Sequence, residues 1–288
     1  MKFIKYFLQS IIILFLLLIF KLIGYKNASN FGSIIGRVLG KYIRSDKIIL
    51  KNISIINEYN NLEIKNSNEI IKNVFSNYGR ILSDYVYLKH FRGGYLEKYV
   101  DVIGNHILED IKTRNKKVVF ISGHFNNFEL MAMFLEASGI NLAAIYRPLN
   151  NIFLNKKMEN IRLKYICKNQ IKKGKSGSRE LIKFIKKNYS IALMIDQRVS
   201  EGLRCNLFGK PAFTTTIPAQ IIKKFDYEIV PVHIERYDKI KFKLTIEKPL
   251  KFGNSMTLEE ITSELNEVLE KMILKNPYQW ILTHNRWK

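Results

Sequence analysis

The stretch VVFISGHFNNFE, residues 118–129, decides how the fold is read. Its first four residues form a short, wholly apolar run bounded by turn signals, which suits a strand buried on both faces. Gly123 permits the chain to turn. Asn126 and Asn127 are capping candidates for a helix that runs from 126 to Ala137 and stops at Gly139. A second strand is expected over 142–146, giving a βαβ unit. Working outward, helices are expected over 151–167 and 178–187, followed by a strand over 190–195 that ends at Asp196-Gln197. Next come a loop punctuated by Gly and Pro (199–213), a helix over 216–225, a strand pair at 227–236 and 241–247, and a long helix over 258–275. Upstream, 47–60 and 68–91 carry helical periodicity, the second with Ile70, Ile71, Val74, Phe75, Tyr78 and Ile81 on one stripe. No internal repeat or low-complexity linker interrupts the body. The expected fold is α/β, a single domain with a central mixed β-sheet flanked by helices, preceded by an N-terminal membrane-anchor helix. The division falls at 1–27 for the anchor and 28–288 for the catalytic body, a length that suits one core.

Functional groups of open α/β sheets gather at the C-terminal ends of strands, where His124 stands. On one continuous helix, residues five apart point about 140° away from each other. His124 and Glu129 therefore converge only if the histidine sits in the turn and the glutamate in the first turns of the helix. A carboxylate on one imidazole nitrogen fixes the tautomer and raises the basicity of the other nitrogen, which can then take a proton from a hydroxyl. The plainer alternative is a capping histidine beside an ordinary surface glutamate, and spacing alone leaves both open. Ser122 lacks the G-x-S-x-G context of a nucleophile elbow. His90, His106 and His233 show no partner spacing and read as structural.

Lys and Arg number 47 against 25 acidic residues, a net charge of +22 that suits an anionic partner. Part of the lysine excess can equally reflect compositional bias, with solvated basic faces. Cys167 and Cys205 have neither disulfide-framework nor zinc spacing, so neither a metal nor a cofactor is expected. Residues 6–20, YFLQSIIILFLLLIF, continue through Leu22 and Ile23 to about 18 apolar positions, the lower limit for spanning a bilayer. A retained anchor is preferred to a cleaved signal, because no small-x-small site follows. Residues 28–43 carry glycines at 32, 36 and 40, a spacing that lets a helix pack closely and suits a hinge between anchor and body.

Several ordered motifs extend the reading. SGHFNNFE resembles the H-x-x-x-x-E motif of the lipid A biosynthesis lauroyl/myristoyl (late) acyltransferase family, which is similar to glycerolipid acyltransferases. Tyr146-Arg147-Pro148, Asp196-Gln197, FGKPAFTTT (208–216) and the closing PYQWILTHNRWK (277–288) follow in the order of that family. The resemblance covers nearly the whole chain. It implies His124 as the catalytic base with Glu129 as its partner, and Arg147, Arg162 and Asp196 as substrate-binding residues. It further implies an acyl carrier protein thioester donor and an anionic glycolipid acceptor, at a bacterial inner membrane with the catalytic domain facing the cytoplasm. One departure is visible: Asn285 replaces the first of two arginines that usually follow the terminal histidine, leaving Arg286.

Residues 168–188 hold eight basic residues and one acid, a face suited to an acidic carrier protein or to phosphates, or simply a solvated face. Tyr278, Trp280 and Trp287, interleaved with basic residues, suit either an interfacial segment or a packed terminus. Three alternatives stand beside transfer to a lipid A precursor. One is an acyltransferase for another glycolipid or phospholipid. Another is a hydrolase using the same pair to activate water. The last is a membrane-tethered nucleic-acid-binding protein, for which no helix-turn-helix, RRM or zinc-finger signature is present, so no nucleic acid is expected as partner.

Overall fold

The computed structural model describes residues 2–61 and 66–288. Four helices lead the chain: α1 (Lys2–Ile23), α2 (Tyr25–Ile43), α3 (Asp46–Tyr59) and α4 (Ser67–Asp84). α1 is long and apolar enough to cross a membrane. Gly24, at φ 77°, breaks it from α2 in a conformation open to glycine. The glycines of α2 do serve close packing, but against α4. A Cβ on Gly79 would lie 1.8 Å from the Gly32 carbonyl oxygen, and one on Gly36 would lie 2.0 Å from that of Phe75. Two short helices, α5 (Leu88–Phe91) and α6 (Asn105–Thr113), flank the first strand, β1 (Val100–Ile103). The helix expected over 68–91 is thus two helices, interrupted by a turn at 85–87. Both β1 and α6 escaped the sequence reading.

From there the body alternates strands and helices as expected, with one strand (Asn169–Lys172) added between the two helices expected over 151–167 and 178–187. β2 (Val118–Ser122), α7 (Glu129–Ala137) and β3 (Leu142–Tyr146) form the βαβ unit, followed by α8 (Ile152–Ile161), β4 (Asn169–Lys172), α9 (Lys175–Lys186) and β5 (Ser190–Met194). The expected loop over 199–213 is instead a two-stranded hairpin, β6 (Leu203–Leu207) and β7 (Lys210–Thr214). Phe208 and Gly209 turn it, both with positive φ (51° and 68°), as a two-residue turn requires. A phenylalanine in that conformation is an unusual turn residue, so the hairpin signal is weak in the sequence. α10 (Ile217–Phe225), β8 (Glu228–Tyr237), β9 (Lys241–Ile246) and α11 (Leu258–Lys275) complete the chain.

Seven strands form one mixed sheet in the order β1-β9-β8-β2-β5-β3-β4. Only β8 and β9 pair antiparallel; β2 lies parallel to both β5 and β8. Every residue of β2 is buried, as a central strand covered on both faces demands. From β2 the chain crosses past β5 to β3, whereas from β5 it crosses back past β2 to β8. The gap between β2 and β5 is therefore the switch point of the sheet, where crevices open beyond the strand ends.

Candidate active site

The parallel register sets Ser122 level with Met194. Two residues beyond each, the strands release His124 and Asp196 side by side. His124 Nδ1 and Asp196 Oδ1 are 2.7 Å apart, and the His124 backbone N–H donates to Asp196 Oδ2 at 2.7 Å. Trp280 Nε1–H donates to the same oxygen at 2.8 Å. Asp196 is fully buried. Burial alone would push its carboxyl up, but the His124 ring and the three donors outweigh it and hold the group below the usual carboxylate range. An ionised Asp196 requires the proton of a neutral His124 to reside on Nδ1, leaving the Nε2 lone pair free. The Gln197 amide stands 3.5 Å from that nitrogen, and the Phe128 ring meets the imidazole edge-on at 4.7 Å.

The loop that presents His124 is clamped from outside. Asn126, at φ 39°, directs its amide to Asn77 Oδ1 and Gln279 Oε1 (2.6 and 2.8 Å), while its backbone N–H donates to the Gln279 carbonyl. Asn127 donates to Asp84 Oδ2 at 3.1 Å. Neither asparagine caps α7. These contacts hold residues 126–128 outside the helix, so α7 begins three residues later than its expected start, at Glu129.

Glu129 faces a different partner. Arg162 Nε and Nη2 both donate to Glu129 Oε1, at 2.9 and 2.6 Å, and the Tyr85 hydroxyl adds a third bond at 3.1 Å. Glu129 and Arg162 are both buried. Burial works against the Arg162 charge, yet the adjacent carboxylate more than compensates and raises its pKa. Arg162 opens a π-helical turn at the end of α8 (Arg162–Ile166), which swings its side chain inward.

His124, Glu129, Arg147 and Arg162 all line one cavity of about 630 Å³. Phe120, Met131, Leu135, Ala144 and Ile166 give it apolar walls. Arg44, Arg147 and Lys173 add exposed cations that have no carboxylate within ion-pair distance among the described residues. Partial desolvation at the cavity mouth, and then repulsion from Arg147, lowers the Lys173 pKa. His284 lines the cavity too. Its Nε2 accepts the Arg198 backbone N–H at 3.0 Å, so the neutral ring carries its proton on Nδ1. Burial depresses the pKa of His284 and favours that neutral form.

A family model for bacterial lipid A biosynthesis acyltransferases matches residues 1–288, the whole chain. The chain belongs to that family. It is accordingly an acyltransferase, and its family assignment suggests activity in lipid A biosynthesis. Among curated proteins, no sequence matches it.

In this acyltransferase His124, Glu129, Arg147 and Arg162 line one cavity, and Asp196 reaches it through the His124 ring. The resemblance implies Glu129 as the partner of His124; the carboxylate bonded to the imidazole is Asp196, and Glu129 holds Arg162 instead. Asp196, expected at the edge of the site, stands behind the histidine. Arg286 does not reach the cavity. It is fully buried, its pKa lowered by burial to about 10, and it donates to the Phe213 carbonyl and Thr214 Oγ1, fastening β7. Its neighbour Asn285, the departure from the family pattern, lines the cavity. Gln197, Trp280 and His284 were not read as site residues. Trp280 and His284 come from a C-terminal segment whose motif was visible but whose position at the ends of β2 and β5 was not. Ser122 Oγ donates to the Gly123 carbonyl (3.3 Å) and contacts Met131 Sδ, and no base bonds it among the described residues.

Proposed function

We propose that this acyltransferase is a membrane-bound O-acyltransferase that moves a fatty acyl chain from an acyl carrier protein thioester to a hydroxyl of an anionic lipid A precursor, at the cytoplasmic face of a bacterial inner membrane. The observation that carries the reading is the His124 Nδ1–Asp196 bond beside an apolar cavity. It leaves a basic nitrogen facing a space in the size range of small-ligand sites. His124 Nε2 takes the proton of the acceptor hydroxyl as its oxygen attacks the thioester carbonyl. Asp196 stabilises the imidazolium that forms. The tetrahedral intermediate then collapses, the C–S bond breaks, and the departing thiolate takes the proton back from His124. No acyl-enzyme is formed.

Two donors in the cavity wall suit the oxyanion of that intermediate: the Arg162 guanidinium, fixed by Glu129, and the Nδ1–H of His284. In this reading Glu129 acts through Arg162. Arg44, Arg147 and Lys173 suit a phosphate of the acceptor or of the donor's prosthetic arm. The basic side chains of α9 and β4, including Lys172, Arg179, Lys183 and Lys186, are exposed and suit an acidic carrier protein; the Lys175 side chain lies outside the described residues.

The test is an assay of the purified full chain with labelled acyl carrier protein donors and a panel of lipid acceptors, read by mass spectrometry. An acyl ester on a lipid A precursor, absent for His124→Ala, is expected. Free fatty acid with no acylated product in the presence of acceptor would make the protein a hydrolase, and esterification of a phospholipid alone would move the acceptor class.

A further inference from the structure

Helix α2 has a second long face, opposite its glycines. Residues two apart on an α-helix point about 200° from each other. Because Gly32 and Gly36 are pressed against the α4 backbone, Ile34 and Val38 point away from the body. They are 59% and 57% exposed, and Tyr42, on the same stripe, is 77% exposed. A surface helix of a water-soluble protein places polar residues there. α2 has no acidic residue, and exposed Lys26 and Lys41 border the apolar stripe. This is the distribution of a helix lying in a lipid–water interface, with cations suited to anionic headgroups.

The stripe is continuous with α1. Phe31 of α2 packs edge-on against Phe20 of α1, with ring centroids 6.1 Å apart, and α1 leaves Phe7, Ile11, Phe15 and Leu18 exposed. Both helices also adjoin residues of the cavity rim. Arg44, which follows α2 directly, lines the cavity. Asn150 lines it as well. The next residue, Asn151, donates to the Tyr6 carbonyl at 2.9 Å and accepts from Ser10 Oγ at 3.1 Å, fastening α1 to the start of α8.

We infer that α2 is a second membrane-contacting element, its Ile34–Val38–Tyr42 stripe seated in the surface of a phospholipid bilayer, so that the cavity opens at headgroup level. A lipid acceptor then reaches His124 without crossing water, a consequence that rests on the proposed transfer to a lipid.

The test uses the full chain in vesicles of phosphatidylethanolamine and phosphatidylglycerol. An environment-sensitive fluorophore is placed on Val38→Cys, Phe15→Cys or Ile182→Cys. The native Cys167 and Cys205 are buried and do not compete for label, and Ile182 is an exposed apolar position of α9. Brominated acyl chains are expected to quench the label at 38 as they do at 15, and to spare the label at 182. Water-like emission at 38 would overturn the inference. So would a dry label that bromolipid leaves unquenched and that depends on protein concentration, which would mark a second copy of this chain as the occupant. In a second arm, the double variant Val38→Glu/Tyr42→Glu should lose roughly tenfold in acyl transfer to an acceptor embedded in vesicles while retaining transfer to a detergent-dispersed acceptor. Equal loss on both would count against the inference. If the wild-type chain transfers to neither, the transfer reading fails by itself and the quenching arm still decides the placement of α2.

Discussion

Two buried carboxylates stand at this cavity, and they hold different partners. Asp196 takes the His124 imidazole, a main-chain N–H and an indole, and faces a group that gains and loses a proton. Glu129 takes a guanidinium and a phenol, and faces a charge that is permanent. The first pair has a protonation state to change, so it suits chemistry; the second suits a fixed field. Five residues of chain separate His124 from Glu129, and 72 separate it from Asp196, yet the distant residue is the hydrogen-bonded one. Pairing across a parallel sheet outranks proximity along the sequence.

If the division is right, the largest loss comes at the imidazole. His124→Ala should lower acyl transfer about 10⁴-fold while its thermal unfolding in detergent stays near that of the parent. Next comes Asp196→Asn, with a loss of about 10³-fold. The amide offers an N–H where the site presents only donors, and the proton on Nδ1 is no longer enforced. Glu129→Gln should act first on stability: an Arg162 left buried without its counter-charge costs roughly 3–5 kcal/mol. Glu129→Gln combined with Arg162→Met should recover most of that loss in a denaturant titration but not the activity. A profile in which Glu129→Gln alone changes the pH dependence of the rate, and Asp196→Asn does not, would break the division.

His233 sharpens the comparison with the smallest effect, because it is an imidazole with no carboxylate bonded to it among the described residues. It packs against Phe125, ring centroids 4.7 Å apart, and burial, aided by Lys275, lowers its pKa to about 4. Above about pH 6.5 it is neutral folded and unfolded, so its contribution is complete. As pH falls from there towards 4, the unfolded chain binds a proton that the folded chain refuses, and stability drops by about 3 kcal/mol over the window. His233→Gln should remove that component, flattening the dependence of unfolding on pH between 6.5 and 4 relative to the parent chain.

Much of this arrangement was legible before any coordinates. The apolar run at 118–121 and its turn gave β2, and the α11 helix agrees to the residue with its expected span of 258–275, because strong periodicity and a capping box at Thr257 and Glu260 bound it. The sequence also marks His124, Glu129, Arg147 and Arg162, which line the cavity, and Asp196, which bonds the histidine. Their partners were not fully legible, because the register that sets Ser122 beside Met194 depends on which strands neighbour one another. β1 and β4 were missed because each is only four residues long and lies at an edge of the sheet, where burial is incomplete and the hydrophobic signal weak. The glycines of α2 announced close packing but not the partner, α4, and so not which face of the helix is left outside.

The most direct measurement is nitrogen NMR of the full chain with isotopically labelled histidine in detergent micelles, comparing the parent with Asp196→Asn and Glu129→Gln. The account predicts that neutral His124 carries its proton on Nδ1, hydrogen-bonded, in the parent and in Glu129→Gln, and that this signature is lost in Asp196→Asn. Its loss in Glu129→Gln with persistence in Asp196→Asn would contradict the account.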